Sequence, residues 1–314
     1  MIDLHTHSSV SDGTETPAEL VAAAAAAGVS VLALTDHDTT AGWSEAAAEL
    51  SRPGSASRRA GTRLVRGAEF STESPDGRGG TVTAHLLGYL FDPEHPEIVA
   101  EQERLRASRR ARIRIMGERM AADGLPVDGD ALLARLPADS PAGRPHLARA
   151  LVDAGVVPSV GAAFEGPLRK GGPYDVAKEN TPIAAAVAMI RAAGGVAVFA
   201  HPFARRRGPC VEASVLRDLA AVGLDGVEVD HPDHDADDRA ALREVASQEG
   251  LLATGASDYH GANKTTPLGA GTTAPAVLEA LVARATGAEV LAGAGTRRGA
   301  GASRTPPRRL GWTR

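Results

Sequence analysis

Histidines and carboxylates recur at the ends of apolar runs along this 314-residue chain. His5 and His7 follow Ile2 and Leu4, and Asp12 stands in an Asp-Gly turn five residues on. LALTDHD carries Asp36, His37 and Asp38, and RLVRGAEF reaches Glu69. His85 lies within TVTAHLLGYL rather than after it, and His201 follows GVAVFA. Glu228, Asp230 and His231 close DGVEVDH; Asp258 and His260 close LLATGASDYH. Singly these are weak signals. The aspartates of TDHD could be helix caps, Glu69 could pair with Arg66, and a histidine between apolar neighbours is often a satisfied core residue. Jointly, six of the ten histidines and several carboxylates occupy equivalent ends of successive segments. Packed together without partners they would repel or suffer desolvation, so they require a cation. A mixed imidazole and carboxylate set suits Mn, Fe or Zn rather than Mg or Ca. All of these histidines and carboxylates are candidate ligands. They exceed the shell of one ion, so two to three divalent metal ions are expected, with Glu69 as the bridging carboxylate.

The elements that must position these residues follow an α/β rhythm. Ala- and Leu-rich helical stretches such as PAELVAAAAAAG end in glycine and lead into short β-branched apolar runs. That alternation predicts a largely parallel sheet, with seven candidate strands in a barrel or an open sheet. In such folds the carboxyl ends of the strands share one face, where the scattered residues would meet. The rhythm breaks over 101–181, with the charged run EQERLRASRRARIRIMGERMAADG and the loop EGPLRKGGPYD. The expected organisation is a barrel in two parts, 1–100 and 182–293. A mostly helical inserted subdomain at 101–181 would cap the substrate, and a disordered basic tail would occupy 294–314.

Composition limits the partners. Hydrophobic residues at 43% and charged residues at 23% suit a soluble globular protein. With 34 Lys plus Arg against 39 Asp plus Glu, the net charge of −5 disfavours duplex nucleic acid as the main partner. It leaves room for a small anionic substrate in a locally positive pocket. The arginines at 104, 106, 109, 110, 112, 114 and 119 read as a solvated helix face balanced by Glu101, Glu103 and Glu118. Cys210 is the only cysteine, so no intrachain disulfide forms. The longest apolar run, Leu20 to Leu34, is broken by Gly28 and Ser30. No membrane span, secretory leader or obligate protein partner is expected, and the compartment reads as cytoplasmic.

In order, DLHTHSSVSDG, LALTDHDT, GAEFS, HLLGY, AHP and SDYHG resemble the motifs of the PHP (polymerase and histidinol phosphatase) superfamily. The resemblance implies a distorted seven-stranded (βα) barrel with an inserted helical subdomain, a trinuclear metal centre and phosphoester hydrolysis. GRPHLARAL at 143–151 and DGVEVDHPDH at 225–234 are most similar to the nucleotide-acting branch. Members of that branch hydrolyse 3′,5′-nucleoside bisphosphates and trim short oligonucleotides from the 5′ end. Carried over by position, it implies a first metal on His5, His7, Glu69 and Asp258. A second would sit on Glu69, His85 and His201, and a third on Asp12, His37 and His260.

A water shared by such ions would be deprotonated near neutral pH and attack phosphorus in line. His231 is either a proton donor to the leaving group or a supporting residue. Arg144 in GRPH is the candidate phosphate clamp, its alternative being a loop salt bridge with Asp139. His146 either supports it or caps the helix expected near Leu147. Relatives often carry lysine where this chain has Gly172, so Lys170 is the substitute candidate for the second phosphate contact. The rival readings are a phosphomonoesterase for a small metabolite such as histidinol phosphate, and a non-catalytic, metal-stabilised nucleic-acid-binding accessory module.

Overall fold

The computed structural model describes residues 1–137, 140–177 and 179–293. The expected basic tail and Asp139 lie outside these residues. In chain order the elements begin β1 (Ile2–Asp3), α1 (Pro17–Ala26), β2 (Val31–Leu34), α2 (Trp43–Ser51), α3 (Ala56–Ala60), β3 (Arg63–Pro75) and β4 (Thr81–Tyr89). Four helices follow, α4 (Pro96–Ala122), α5 (Gly129–Arg135), α6 (Arg144–Asp153) and α7 (Val160–Glu165). The chain then runs through β5 (Thr181–Pro182), α8 (Ile183–Ala192), β6 (Val196–Ala200), α9 (Ala213–Ala221), β7 (Gly226–Asp230) and α10 (Ala236–Glu249). It closes with β8 (Leu252–Gly255), α11 (Pro275–Arg284) and β9 (Leu291–Ala292).

Seven strands pair in the order β1-β2-β3-β4-β6-β7-β8, while β5 and β9 flank β3. A bridge between Thr6 and Tyr259, and the Thr273 N–H donated to the Ile2 carbonyl at 2.9 Å, bring the last strand back to the first. The result is the distorted, nearly closed barrel. The sheet is largely parallel, as expected, with one strand of the barrel running the other way. β4 runs antiparallel to both β3 and β6, whereas β1-β2, β2-β3, β6-β7 and β7-β8 are parallel. The reason is local: β3 continues past Glu69 to Pro75 and returns directly through the turn at 76–80, with no crossover helix.

Local chemistry sets the elements. Thr16 accepts the Glu19 N–H while the Glu19 carboxylate accepts the Thr16 N–H, and Pro17 opens the helix, so α1 starts sharply. Beyond it Gly28, at φ 77°, turns the chain into β2. β2 is apolar throughout because both of its faces are buried. Val31 and Ala33 pack inside the barrel with Leu4, Val65, Leu87, Tyr89 and Val198, over a floor closed by Leu278 and Leu281 of α11. Leu32 and Leu34 face outward, under the helices, with Leu64, Phe70, Leu86 and Phe199.

α4 begins at Pro96 and runs 27 residues. Its buried positions Ile98, Gln102, Leu105, Ile113, Met116 and Met120 keep the 3–4 spacing of a single stripe. Ile98 and Leu105 pack into the outer layer of the barrel, whereas Ile113, Met116 and Met120 join Leu133, Leu147 and Leu151 in a separate cluster. One rigid helix therefore belongs to both cores. The barrel core is also pinned by a hydrogen bond from the buried Tyr89 hydroxyl to the Leu4 carbonyl, 2.7 Å, one residue before His5. Tyr89→Phe is expected to lower unfolding free energy by about 1–2 kcal/mol in urea titrations; an unchanged midpoint would show that this bond contributes nothing.

Candidate metal centre and the cavity above it

Period-two alternation carries the inner apolar stripe into the site. On β3 the inward positions run from Val65 to Glu69; on β4 they run from Tyr89 and Leu87 to His85. Because β4 is antiparallel, its mouth end is its N-terminal half. That is why His85 lies within its strand and still meets residues that follow other strands.

Glu69 is the meeting point and is fully buried. Its Oε2 lies 3.2 Å from His5 Nε2, 3.1 Å from His7 Nε2 and 3.2 Å from His37 Nδ1. Its Oε1 lies 2.8 Å from His85 Nδ1 and 3.1 Å from His201 Nε2. Asp258 Oδ1 stands 3.5 and 3.4 Å from His5 and His7 Nε2. Asp12 faces His260 Nε2 at 3.3 Å and His37 Nε2 at 3.7 Å. All nine residues singled out by the sequence thus meet in one cluster.

Further carboxylates and carbonyls aim the rings. Glu228 engages His5 Nδ1 at 3.2 Å and accepts the His201 N–H at 2.9 Å. The Asp258 carbonyl engages His260 Nδ1 at 2.9 Å. Both contacts leave Nε2 facing inward. Asp36 accepts from Ser8 N–H, Ser8 Oγ and Ser11 Oγ at 2.6–2.8 Å, folding the loop that carries Asp12. Gly13 ends that loop; a Cβ there would lie 2.4 Å from the His7 carbonyl oxygen. Asp38, His201 and Asp258 all have positive φ, at 51°, 31° and 52°. Left-handed backbone at three non-glycine residues of one cluster is strain held in place by its surroundings.

Burial opposes every charge here, and the partners decide the outcome. Burial raises the Glu69 carboxyl, but the imidazoles of His85, His37 and His5 hold it well below the usual range. Burial opposes protonation of His7, yet its hydrogen bonds to Asp258 and Glu69 push it up to about 9. Burial and the Arg207 charge press His201 down to about 3. His37 Nδ1 and His85 Nδ1 are buried and, despite their closeness to Glu69, make no hydrogen bond among the described residues. Three sets of ligating atoms each fall within 4.8 Å of one another: His5, His7 and Glu69; His37, Glu69 and His85; and His7, Asp12, His37 and His260. Imidazole lone pairs and carboxylate oxygens converging at that spacing fit divalent metal ions.

A cavity of about 550 Å³ opens over Asp12, His37, His85 and His201. Arg109, Arg112, Arg144, Lys170 and Arg207 line its walls. Arg144 is mostly buried, stacks on Phe164 with its guanidinium 5.3 Å from the ring centre, and reaches the Leu168 carbonyl at 3.4 Å. His146 takes the capping alternative. Its Nδ1 accepts the Gly143 N–H at 3.1 Å, closing the start of α6 at Arg144 rather than near Leu147. His231 is buried: its Nδ1 accepts the Asp233 N–H at 3.0 Å, which leaves Nε2 to donate toward Asp258 Oδ2 at 3.4 Å.

The solvated-face expectation for the α4 arginines needs correcting at four positions. Arg106 donates to the Asp38 carbonyl at 3.3 Å, and Arg110 donates to the carbonyls of Leu133, Pro137 and Ser140 at 3.2–3.3 Å. Arg109 and Arg112 line the cavity. Arg109 donates from Nε to Asp38 at 2.5 Å and from Nη2 to Ser71 at 2.6 Å. Arg112 pairs with Asp175 at 3.0 Å, and burial together with the Arg144 charge lowers it to about 10. The signal was present for Arg109, which falls on the buried 3–4 stripe between Leu105 and Ile113. Arg207 and Lys264, each 2.6 Å from Asp258 Oδ2, were not singled out, and nothing in RRR or GANK distinguishes them.

Comparison with known proteins agrees with this geometry. The PHP domain profile matches residues 3–108. A 3′,5′-nucleoside bisphosphate phosphatase of Chromobacterium violaceum is 36% identical over 259 residues, covering 82% of this chain and 87% of that protein. A 5′-3′ exoribonuclease of Haemophilus influenzae is 37% identical over 258 residues, 82% of this chain and 89% of its own length. A solved structure described as a metal-dependent phosphoesterase, from Bifidobacterium adolescentis, superposes with a TM-score of 0.81 at 35% identity, covering 90% and 96% of the two chains. A barrel mouth lined by this set of histidines and carboxylates, in a chain this close to those relatives, leads to one conclusion: the protein belongs to the PHP family and is one of its phosphoesterases.

Proposed function

We propose that the chain removes phosphate from 3′,5′-nucleoside bisphosphates, from the 5′ ends of short oligonucleotides, or from both, with two to three Mn, Fe or Zn ions. The observation that carries this reading is the pairing across one cavity of a histidine and carboxylate floor with arginines and a lysine on the walls. A single phosphate needs only the floor; a second, remote phosphate gives the walls a ligand. The names of the bisphosphate phosphatase and exoribonuclease relatives support the same substrate class. The single cysteine, Cys210, is unpaired, in keeping with a cytoplasmic setting.

The ligand sets proposed are His5, His7, Glu69 and Asp258; Glu69, His85 and His201; and Asp12, His37 and His260. Divalent ions held there would supply an activated water and neutralise charge on the phosphoryl oxygens. The chain's own groups do the rest. Glu228 fixes the His5 ring, and His231 holds Asp258 while staying clear of the cavity, so its part is to position rather than to donate a proton to the leaving group. Arg144 presents a guanidinium to the remote phosphate, held by the Phe164 ring so that little freedom is lost on binding. Lys170 adds a second charge from the facing loop, in the role its relatives give to the position of Gly172.

Parallel assays of the Mn-loaded protein against 3′-phosphoadenosine 5′-phosphate, a short 5′-phosphorylated RNA and histidinol phosphate test the substrate class. Turnover of the first two and little of the third is expected; histidinol phosphate turned over as well as the others would remove the nucleotide reading. Arg144→Ala should raise KM for the bisphosphate about tenfold to a hundredfold with a smaller effect on kcat, whereas an unchanged KM would take Arg144 out of binding. Asp12→Ala should cost one ion per chain by elemental analysis while the others stay bound. Full metal content in that variant would refute the third ligand set.

A further inference from the structure

Asp258 is asymmetric. Oδ1 faces His5 and His7, at 3.5 and 3.4 Å. Oδ2 faces outward and accepts from Arg207 Nη2 at 2.6 Å and Lys264 Nζ at 2.6 Å, with His231 Nε2 at 3.4 Å. A carboxylate oxygen offers two lone pairs. Two full positive charges and an imidazole N–H are more than this oxygen can use, so one of the cations is available for another acceptor.

The two cations are not equivalent. Lys264 contacts the Asp258 carbonyl as well, at 3.4 Å, and does not line the cavity. Arg207 does line it, beside His37, His85 and His201, and its side chain is 37% exposed. Its Nε is tied to Asp233 at 2.5 Å, which anchors the planar group at one edge. Its Nη1 lies 3.3 Å from His201 Nε2, so both terminal nitrogens rest on atoms of the proposed ligand sets. Once His201 Nε2 is engaged by metal, the Nη1 N–H groups need a new acceptor, while Nη2 shares the outward Oδ2 with Lys264 and His231. A planar fork of N–H donors at the wall of a phosphoesterase cavity matches the tetrahedral oxygens of a phosphoryl group.

We propose that Arg207 binds the phosphoryl group undergoing hydrolysis, turning from Asp258 to the phosphate oxygens while Lys264 and His231 keep Asp258 neutralised and aimed. The inference rests on the phosphoesterase reading above, but not on the nucleotide part of it. It assigns to Arg207 a place near the metal ligands, distinct from the remote contact proposed for Arg144.

Titration calorimetry of inorganic phosphate into the Mn-loaded full-length protein tests it, with the metal content of each sample measured alongside. Arg207→Ala is expected to keep its metal and to bind phosphate about tenfold to a hundredfold more weakly. Added guanidinium chloride at millimolar concentration should restore part of that affinity, and Arg207→Lys should fall between wild type and alanine. Phosphate affinity unchanged at full metal content would overturn the proposal. So would loss of metal from Arg207→Ala, since Arg207 would then be a structural partner of Asp258 alone. A wild type that binds phosphate yet turns over no nucleoside bisphosphate removes the nucleotide reading, and the Arg207→Ala comparison still decides this one. A loaded wild type that binds no phosphate overturns it.

Discussion

A single buried carboxylate sets the terms for this structure. Glu69 is withdrawn from water and faces five imidazoles within 3.2 Å. Taking an isolated carboxylate out of water costs several kcal/mol even after relaxation, so the residue persists only where the barrel delivers compensating groups from many strands at once. His5 and His7 follow the first strand, His37 the second, His85 rises in the fourth and His201 follows the sixth. Each would be an ordinary histidine without the others. The left-handed backbone at Asp38, His201 and Asp258 indicates that the packed barrel, and not local preference, holds these loops.

The barrel achieves this by changing the chemistry of one face while keeping its period. On β3 and β4 the same inward stripe is apolar at the floor and titratable at the mouth. Below, Val65, Leu87 and Tyr89 exclude water; above, Glu69, Ser71 and His85 share a common space. The dry floor strengthens every electrostatic interaction one layer higher. It also explains how the Tyr89 hydroxyl, bonded to the Leu4 carbonyl, connects core packing to the direction in which His5 leaves the first strand.

How much of this could be read from the sequence depends on how local each signal is. The nine histidines and carboxylates were legible because parallel strands repeat one arrangement, with chemistry after the strand, and that repetition shows in one dimension. The antiparallel course of β4 was not legible, because hairpin and crossover connections differ only in what lies between strands. Even so, the position of His85 inside its run was a trace of it. Arg109 was legible in principle from its place on the buried stripe of α4, but a run of seven arginines obscures the inward ones. Arg207 and Lys264 had no such trace. They owe their place to Asp258, which lies 51 and 6 residues away, and only the fold brings a 3-10 turn and a loop together there.

The same distances separate the overall charge from the charge that matters. The chain is net negative by five, yet the cavity walls carry Arg109, Arg112, Arg144, Lys170 and Arg207. Three of these arginines come from two helices, and their neighbours are partly committed: Arg109 to Asp38, Arg112 to Asp175. Arg144 instead rests on an aromatic ring and a carbonyl. Burying arginines close enough to repel one another is unfavourable unless an anion is part of the intended state. The floor presents the complementary case, with carboxylates close enough to repel unless cations join them. A cavity that needs cations below and anions above is matched by a phosphate ester bound over metal ions, and the long helix α4, packed into both cores, joins the two surfaces.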